Sequence, residues 1–204
     1  MKHLFRALLL AALLISVAPV SHAQILNFAA TLTGPDESPP NASPGFGDAL
    51  VTVDQTLNTM RVQVTFSGLL GTTTASHIHA ATAAPLTGTA IVATQTPTFT
   101  GFPLGVTSGS YDHTFDLTLA TTYSSAFVTA HGGTPAGAEA ALISALTLSE
   151  AYLNIHTSVV PTGEIRGFLI PVTAAPEPGS LVLLGVGLPS LVGLTVIKRQ
   201  RRNA

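Results

Sequence analysis

The chain of 204 residues contains no cysteine. Thiol chemistry is therefore excluded, and no disulfide supports the fold. Charge is the second shortage, with Asp, Glu, Lys and Arg making up only 9% of the residues. Between residues 24 and 175 nine acidic side chains face only Arg61 and Arg166, so this stretch is near −7 while the whole chain is −2. A surface with two cations has no basic footprint for nucleic acid or anionic lipid. It is compatible with cations or neutral polymers. Also missing are a Ser–His–Asp nucleophile elbow, a phosphate-cradling Walker loop and a CxxC pair. No internal repeat and no βαβ rhythm is present, which argues against a parallel sheet.

What is present begins at the two ends. Lys2 and Arg6 precede the apolar run Leu8 to Val20, and Ser21-His22-Ala23 follows. This order predicts a secretory signal peptide over 1–23, cleaved between Ala23 and Gln24. At the other end, 179–197 is an uncharged, mostly apolar run, long enough for about 28 Å of helix. Lys198, Arg199, Arg201 and Arg202 follow it. By the positive-inside rule the C-terminus is cytoplasmic and the preceding domain lies outside. One domain is expected over 24–175, with a tail over 176–204.

Inside that domain the apolar pattern is short-period. Gln24 to Thr33, Asp48 to Asp54, Thr59 to Ser67, Ala75 to Ala81, Gly88 to Thr94 and Ser110 to Leu119 each read as a strand. In the third of these, Met60, Val62, Val64 and Phe66 are expected to face the core. Pro135 to Leu148 has apolar residues at helical spacing and is the one expected helix. Ala151 to Ile170 reads as a β-hairpin around Pro161-Thr162-Gly163, with Tyr152, Asn154 and His156 sharing one face. Seven or eight strands at this spacing predict an all-β, antiparallel Greek-key sandwich.

The motifs SHIHAA at 76–81, AYLNIHT at 151–157 and TGEIRG at 162–167 resemble the CHRD domain of chordin and of many exported bacterial proteins. The likeness covers about Phe28 to Ile170. It implies an immunoglobulin-like or superoxide-dismutase-like β-sandwich. Pro176-Glu177-Pro178, the apolar span and the basic end resemble a PEP-CTERM sorting signal. That resemblance implies a Gram-negative bacterium whose exosortase processes the tail. The precursor would be anchored in the inner membrane by its C-terminal helix, facing the periplasm. The product would then reach the cell surface or extracellular matrix, where such proteins accompany exopolysaccharide and biofilm. The partners implied are the exosortase and a polysaccharide or surface protein.

The chemistry sits in few residues. His77 and His79 are two apart, so a strand projects both imidazoles from one face, about 6.5–7 Å apart at their Cβ atoms. With His156 they would make a three-nitrogen site suited to copper or zinc. The leading expectation, however, is a hydrogen-bonded polar layer that sets strand register with no metal or other cofactor, and the copper or zinc site is the alternative to it. The H-x-H pair is similar to the copper-ligand strand of Cu,Zn superoxide dismutase, whose two-metal site needs six histidines and an aspartate. Residues 24–175 have five histidines, adding only His113 and His131. No catalytic residue is assigned, and a non-enzymatic binding or structural domain leads over a copper-dependent oxidoreductase. Asn154, Glu164 and Arg166 are expected to form a structural polar seam, with Glu164 and Arg166 as an ion pair and Asn154 bonded to backbone across the sheet. His131-Gly132-Gly133 reads as a plain turn, and His113 as a histidine at the core edge.

Overall fold

The computed structural model describes residues 25–172. The expected leader and its Ala23–Gln24 cleavage point lie outside these residues. So do the motif Pro176-Glu177-Pro178, the apolar span of 179–197 and the basic end at Lys198, Arg199, Arg201 and Arg202. Among the described residues no helix is long and apolar enough to cross a membrane.

Alternation of apolar and polar side chains builds the long strands. These are β1 (Ile25–Thr33), β2 (Phe46–Asp54), β3 (Thr59–Ser67) and β5 (Gly109–Asp116). Met60, Val62, Val64 and Phe66 of β3 are all buried, as the pattern predicted. β1 pairs with β2, and β2 with β3, along nine residues each. β3 then pairs with β5 rather than with β4 (Thr73–His79), so the chain crosses over after β3. β4 instead pairs with β6 (Tyr152–Thr157), which pairs with β7 (Ile165–Phe168). The hairpin expected over Ala151–Ile170 is present as β6 and β7, with Ile155 opposite Ile165.

All strand pairings are antiparallel, and the fold is all-β. Where the sandwich expectation pictured two sheets, hydrogen bonds join the strands into one curled sheet in the order β4-β6-β7-β1-β2-β3-β5. β1 is the joint. One edge takes β2, while the other takes β8 (Ile170–Val172) beside Asn27–Ala29 and β7 at Thr33. Gly167 permits that approach, because a Cβ there would stand 2.1 Å from the Thr31 carbonyl oxygen. One cluster of buried side chains runs through the sheet, including Phe28, Val51, Val62, Ile78, Leu153 and Ile155. Each such side chain contributes about 1.5–3 kcal/mol on burial.

Two expectations are corrected. The segment Gly88–Thr94 is not a strand; it runs along the open edge of β4, joined to it by one isolated bridge between His79 and Val92. The reason is local: the Thr94 hydroxyl, not a carbonyl, takes the Ile78 N–H at 2.9 Å, so no ladder propagates. The segment still covers an edge that would otherwise offer unpaired backbone groups. Among the described residues there are also two α-helices rather than one, preceded by a single 3-10 turn at Ala120–Thr122. The expected helix is present as α2 (Pro135–Thr147), capped by Thr134 and buried through Ala138, Leu142, Ala145 and Leu146. Before it stands α1 (Ser125–Ala130), which has too few turns to show a period. It is held by the Ser124 cap and by fully buried Phe127. His131 with Gly132 and Gly133 forms the turn between the two helices, as expected, and His113 packs edge-on to Phe115 at the core margin.

Candidate metal centre

β6 is buried on both faces, and this positions the site. Leu153 and Ile155 point into the apolar core, while Tyr152, Asn154 and His156 project from the opposite face. Register places His77 of β4 beside Asn154, His79 beside Tyr152, and Arg166 of β7 on the other side of Asn154. Loop carbonyls of Asp36, Gly88, Ala90, Pro97 and Pro161 meet the side chains on this face.

His77, His79 and His156 come together as the sequence spacing predicted. One ring nitrogen from each lies within 4.8 Å of the others, and among the described residues this is the one His/Cys/Asp/Glu group of metal-holding geometry. Each imidazole is oriented from outside by a backbone carbonyl. His77 Nε2 donates to Pro97 at 2.7 Å, His79 Nδ1 to Ala90 at 2.9 Å, and His156 Nδ1 to Pro161 at 2.9 Å. A carbonyl only accepts, so each outer nitrogen carries the proton. The other nitrogens of the neutral rings, His77 Nδ1, His79 Nε2 and His156 Nε2, then carry the lone pairs, on the ring sides away from those carbonyls. His77 Nδ1 and His156 Nε2 stand 3.4 Å apart with no proton between them.

Burial keeps the rings neutral. It pushes His77 down to about 4, with the neighbouring His156 and His79 adding to the effect against the Pro97 bond. His79 and His156 are likewise lowered, chiefly by burial. Imidazole held neutral and fixed by an outer hydrogen bond is the form that ligates metals. Tetrahedral coordination at about 2.0–2.1 Å puts ligand nitrogens about 3.3–3.4 Å apart, which the His77–His156 pair already meets. His79 stacks face to face on Tyr152 at 4.8 Å, and its Nε2 is buried without a partner.

The polar seam of Asn154, Glu164 and Arg166 is buried as expected, but its pairing differs. Glu164 and Arg166 do not form an ion pair. Glu164 Oε1 accepts from Ser43 Oγ and the Leu70 N–H, both at 2.6 Å; Oε2 accepts from Thr157 Oγ1 at 2.6 Å and the Gly71 N–H at 3.1 Å. Burial pushes its carboxyl up, but these four donors outweigh that and hold it below its ordinary range. Arg166 turns instead to the segment after β1. It donates to the carbonyls of Asp36 and Gly88, lies 3.9 Å from Glu37 Oε2, and stacks over Tyr152 at 4.7 Å. Burial raises Glu37 to about 7 against the pull of Arg166. Asn154 makes no side-chain bond to backbone across the sheet: its backbone carbonyl takes the Ser76 hydroxyl, and its Oδ1 is buried and unpartnered.

The sequence reading missed Glu37 and Ser43, which lie in the Pro-, Gly- and Ser-rich loop after β1. Nothing periodic marks them, and their partners, Arg166 for Glu37 and Glu164 for Ser43, are more than a hundred residues away. No curated protein and no solved structure matches the chain at a significant level. The sequence profile of the CHRD domain matches residues 28–169, from within β1 to just past β7, taking in all three histidines; the chain belongs to the CHRD domain family.

Proposed function

We propose that this CHRD domain is a non-enzymatic binding module of an exported protein, and that His77, His79 and His156 hold a copper or zinc ion as its fixed centre. The observation that carries this reading is the anchoring of all three rings on carbonyls, which leaves one unprotonated nitrogen on each ring of a cluster whose nitrogens lie within 4.8 Å of one another. A purely hydrogen-bonded layer would need a donor among those nitrogens, and the carbonyls have taken every proton the neutral rings possess. A cation supplies the missing counterpart. His113 and His131 lie apart, against Phe115 and Phe127, so a second imidazole-rich metal site of the superoxide-dismutase kind lacks its ligands. That supports binding over redox turnover.

The leader and tail patterns support export and exosortase processing at Pro176-Glu177-Pro178, ending at the cell surface or matrix. A polysaccharide or surface protein is the partner class, met by the outer face of β1, β2, β3 and β5. There Thr31, Asp48, Thr65 and Ser110 form one exposed cross-strand row. Such a row offers three hydroxyls and one carboxylate but no cation, which suits a neutral polymer.

Metal analysis by inductively coupled plasma on the purified chain should find about one copper or zinc per chain, and a His77→Ala/His79→Ala variant should find none. Equal, sub-stoichiometric metal in both would overturn the metal reading. At a hundredfold excess over Kd the ion should also stabilise the wild type by about 2.7 kcal/mol, and leave the variant unmoved. For the tail, deletion of residues 176–204 should release the domain from the membrane fraction or misroute it. Unchanged membrane retention refutes the sorting role.

A further inference from the structure

We propose that Asn154 supplies a fourth donor, its carboxamide oxygen Oδ1, closing the three-histidine centre into a site with three nitrogens and one oxygen. This rests on the metal reading of His77, His79 and His156 and goes beyond it, because it decides whether the ion has an open position.

Placement comes first. Asn154 stands directly across from His77 in the β4–β6 register, between Tyr152 and His156 on the same face of β6. Directly opposed residues on a sheet have Cβ atoms about 4.5–5.5 Å apart, so its short side chain reaches the space between the rings. Asn154 is 3% exposed. Its amide nitrogen Nδ2 lies toward Gly163, where a Cβ would meet it at 2.9 Å and Glu37 Oε1 at 2.5 Å. Gly163 has φ +131, so the turn both needs a glycine and leaves room for that amide. With Nδ2 on the Gly163 side, Oδ1 points the other way.

Chemistry comes second. Oδ1 of Asn154 and Nε2 of His79 are both buried acceptors with no hydrogen-bond partner. Buried acceptors are almost always satisfied, and two bare ones on neighbouring paired strands, on one sheet face, are a signature of a missing cation or donor. One ion shared by the three imidazoles and Oδ1 satisfies every bare atom of the cluster at once. Carboxamide oxygen is a competent ligand, and four protein donors complete a tetrahedral shell. A shell without an exchangeable position is that of a structural centre, in keeping with a domain that binds rather than catalyses.

Cobalt(II) titration of the full chain, followed by its visible d–d bands, tests the assignment. Wild type should take up about one cobalt with the intense bands of a four-coordinate complex. Loss of an outer-shell partner already weakens metal sites by about 10–100-fold, so Asn154→Ala should weaken binding at least that much and shift the bands. Asn154→Asp should restore affinity, through a charged oxygen in the same place, with bands shifted from wild type. If wild type takes up no cobalt, the three-histidine reading itself fails. If wild type binds and Asn154→Ala matches it in affinity and bands, only the Asn154 assignment is overturned. Should Asn154→Ala not fold, Asn154→Asp decides: bands identical to wild type overturn the proposal.

Discussion

Replacing Glu164 with alanine is expected to cost the domain about 3–5 kcal/mol, read as a fall in the urea midpoint at pH 7. The carboxylate is fully buried and is the common acceptor for three separate segments. Ser43 comes from the loop before β2, Leu70 and Gly71 from the turn between β3 and β4, and Thr157 from the end of β6. The two hydroxyls can rotate their protons about the C–O bond while their oxygens keep accepting from the Gly45 and Val160 N–H groups. The Leu70 and Gly71 N–H groups have no such freedom, and an unsatisfied buried donor costs about 1–3 kcal/mol. Glu164→Gln keeps the shape but presents an NH2 to two of the four donors, for an expected loss of about 2–4 kcal/mol. A glutamine variant as stable as wild type would show that the ionised acceptor contributes nothing. Because the Glu164 carboxyl is held low, its contribution is full above the ordinary carboxylate value and is lost as pH falls through the folded value. Glu164→Gln should lack that acid-dependent loss.

The second large effect is the pH dependence of the metal-free domain. In the unfolded chain His77 takes a proton near 6.5, but in the fold only near 4. As pH falls between those values the unfolded state gains a proton that the folded state refuses, so stability drops, by about 3 kcal/mol over the window. His79 and His156 are shifted the same way and add to the drop. Glu37 opposes them. Its folded value of about 7 stands above the ordinary 4.5, so as pH falls from 7 to 4.5 the folded state is protonated first and gains about 3 kcal/mol. Three histidines against one carboxyl leave a net loss toward pH 4. Glu37→Gln should steepen that loss, and His77→Gln should flatten it, in unfolding free energies measured at intervals from pH 8 to 4. Identical slopes in all three proteins would refute the assigned shifts.

Much of the fold is legible in short stretches of sequence. Alternation in 59–67 placed Met60, Val62, Val64 and Phe66 inward, and each is buried. Pro135 near its start, with apolar residues at helical spacing, marked α2. The turn at Pro161-Thr162-Gly163 marked the hairpin of β6 and β7, with Asn154 opposite Arg166 and Tyr152 opposite Phe168. These signals are local: a side chain's direction in a strand depends on its parity, and its neighbours in sequence report it. The six-residue α1 and the edge segment Gly88–Thr94 misled for the same reason, since neither carries a period that matches its actual bonding.

By itself, the sequence determined which residues carry chemistry: a His-x-His pair on one strand face, a third histidine on a hairpin, an acid and a base two apart, and no thiol. Only the tertiary structure decided what they meet. His156 reaches His77 across 79 residues because β4 skips its sequence neighbours and pairs with β6. Arg166 takes Glu37 and two carbonyls, and Glu164 takes uncharged donors, because loops without periodicity fold over that face. Local alternation sets the direction of a side chain, whereas pairing order and register set its partner, and those follow from burying one shared core.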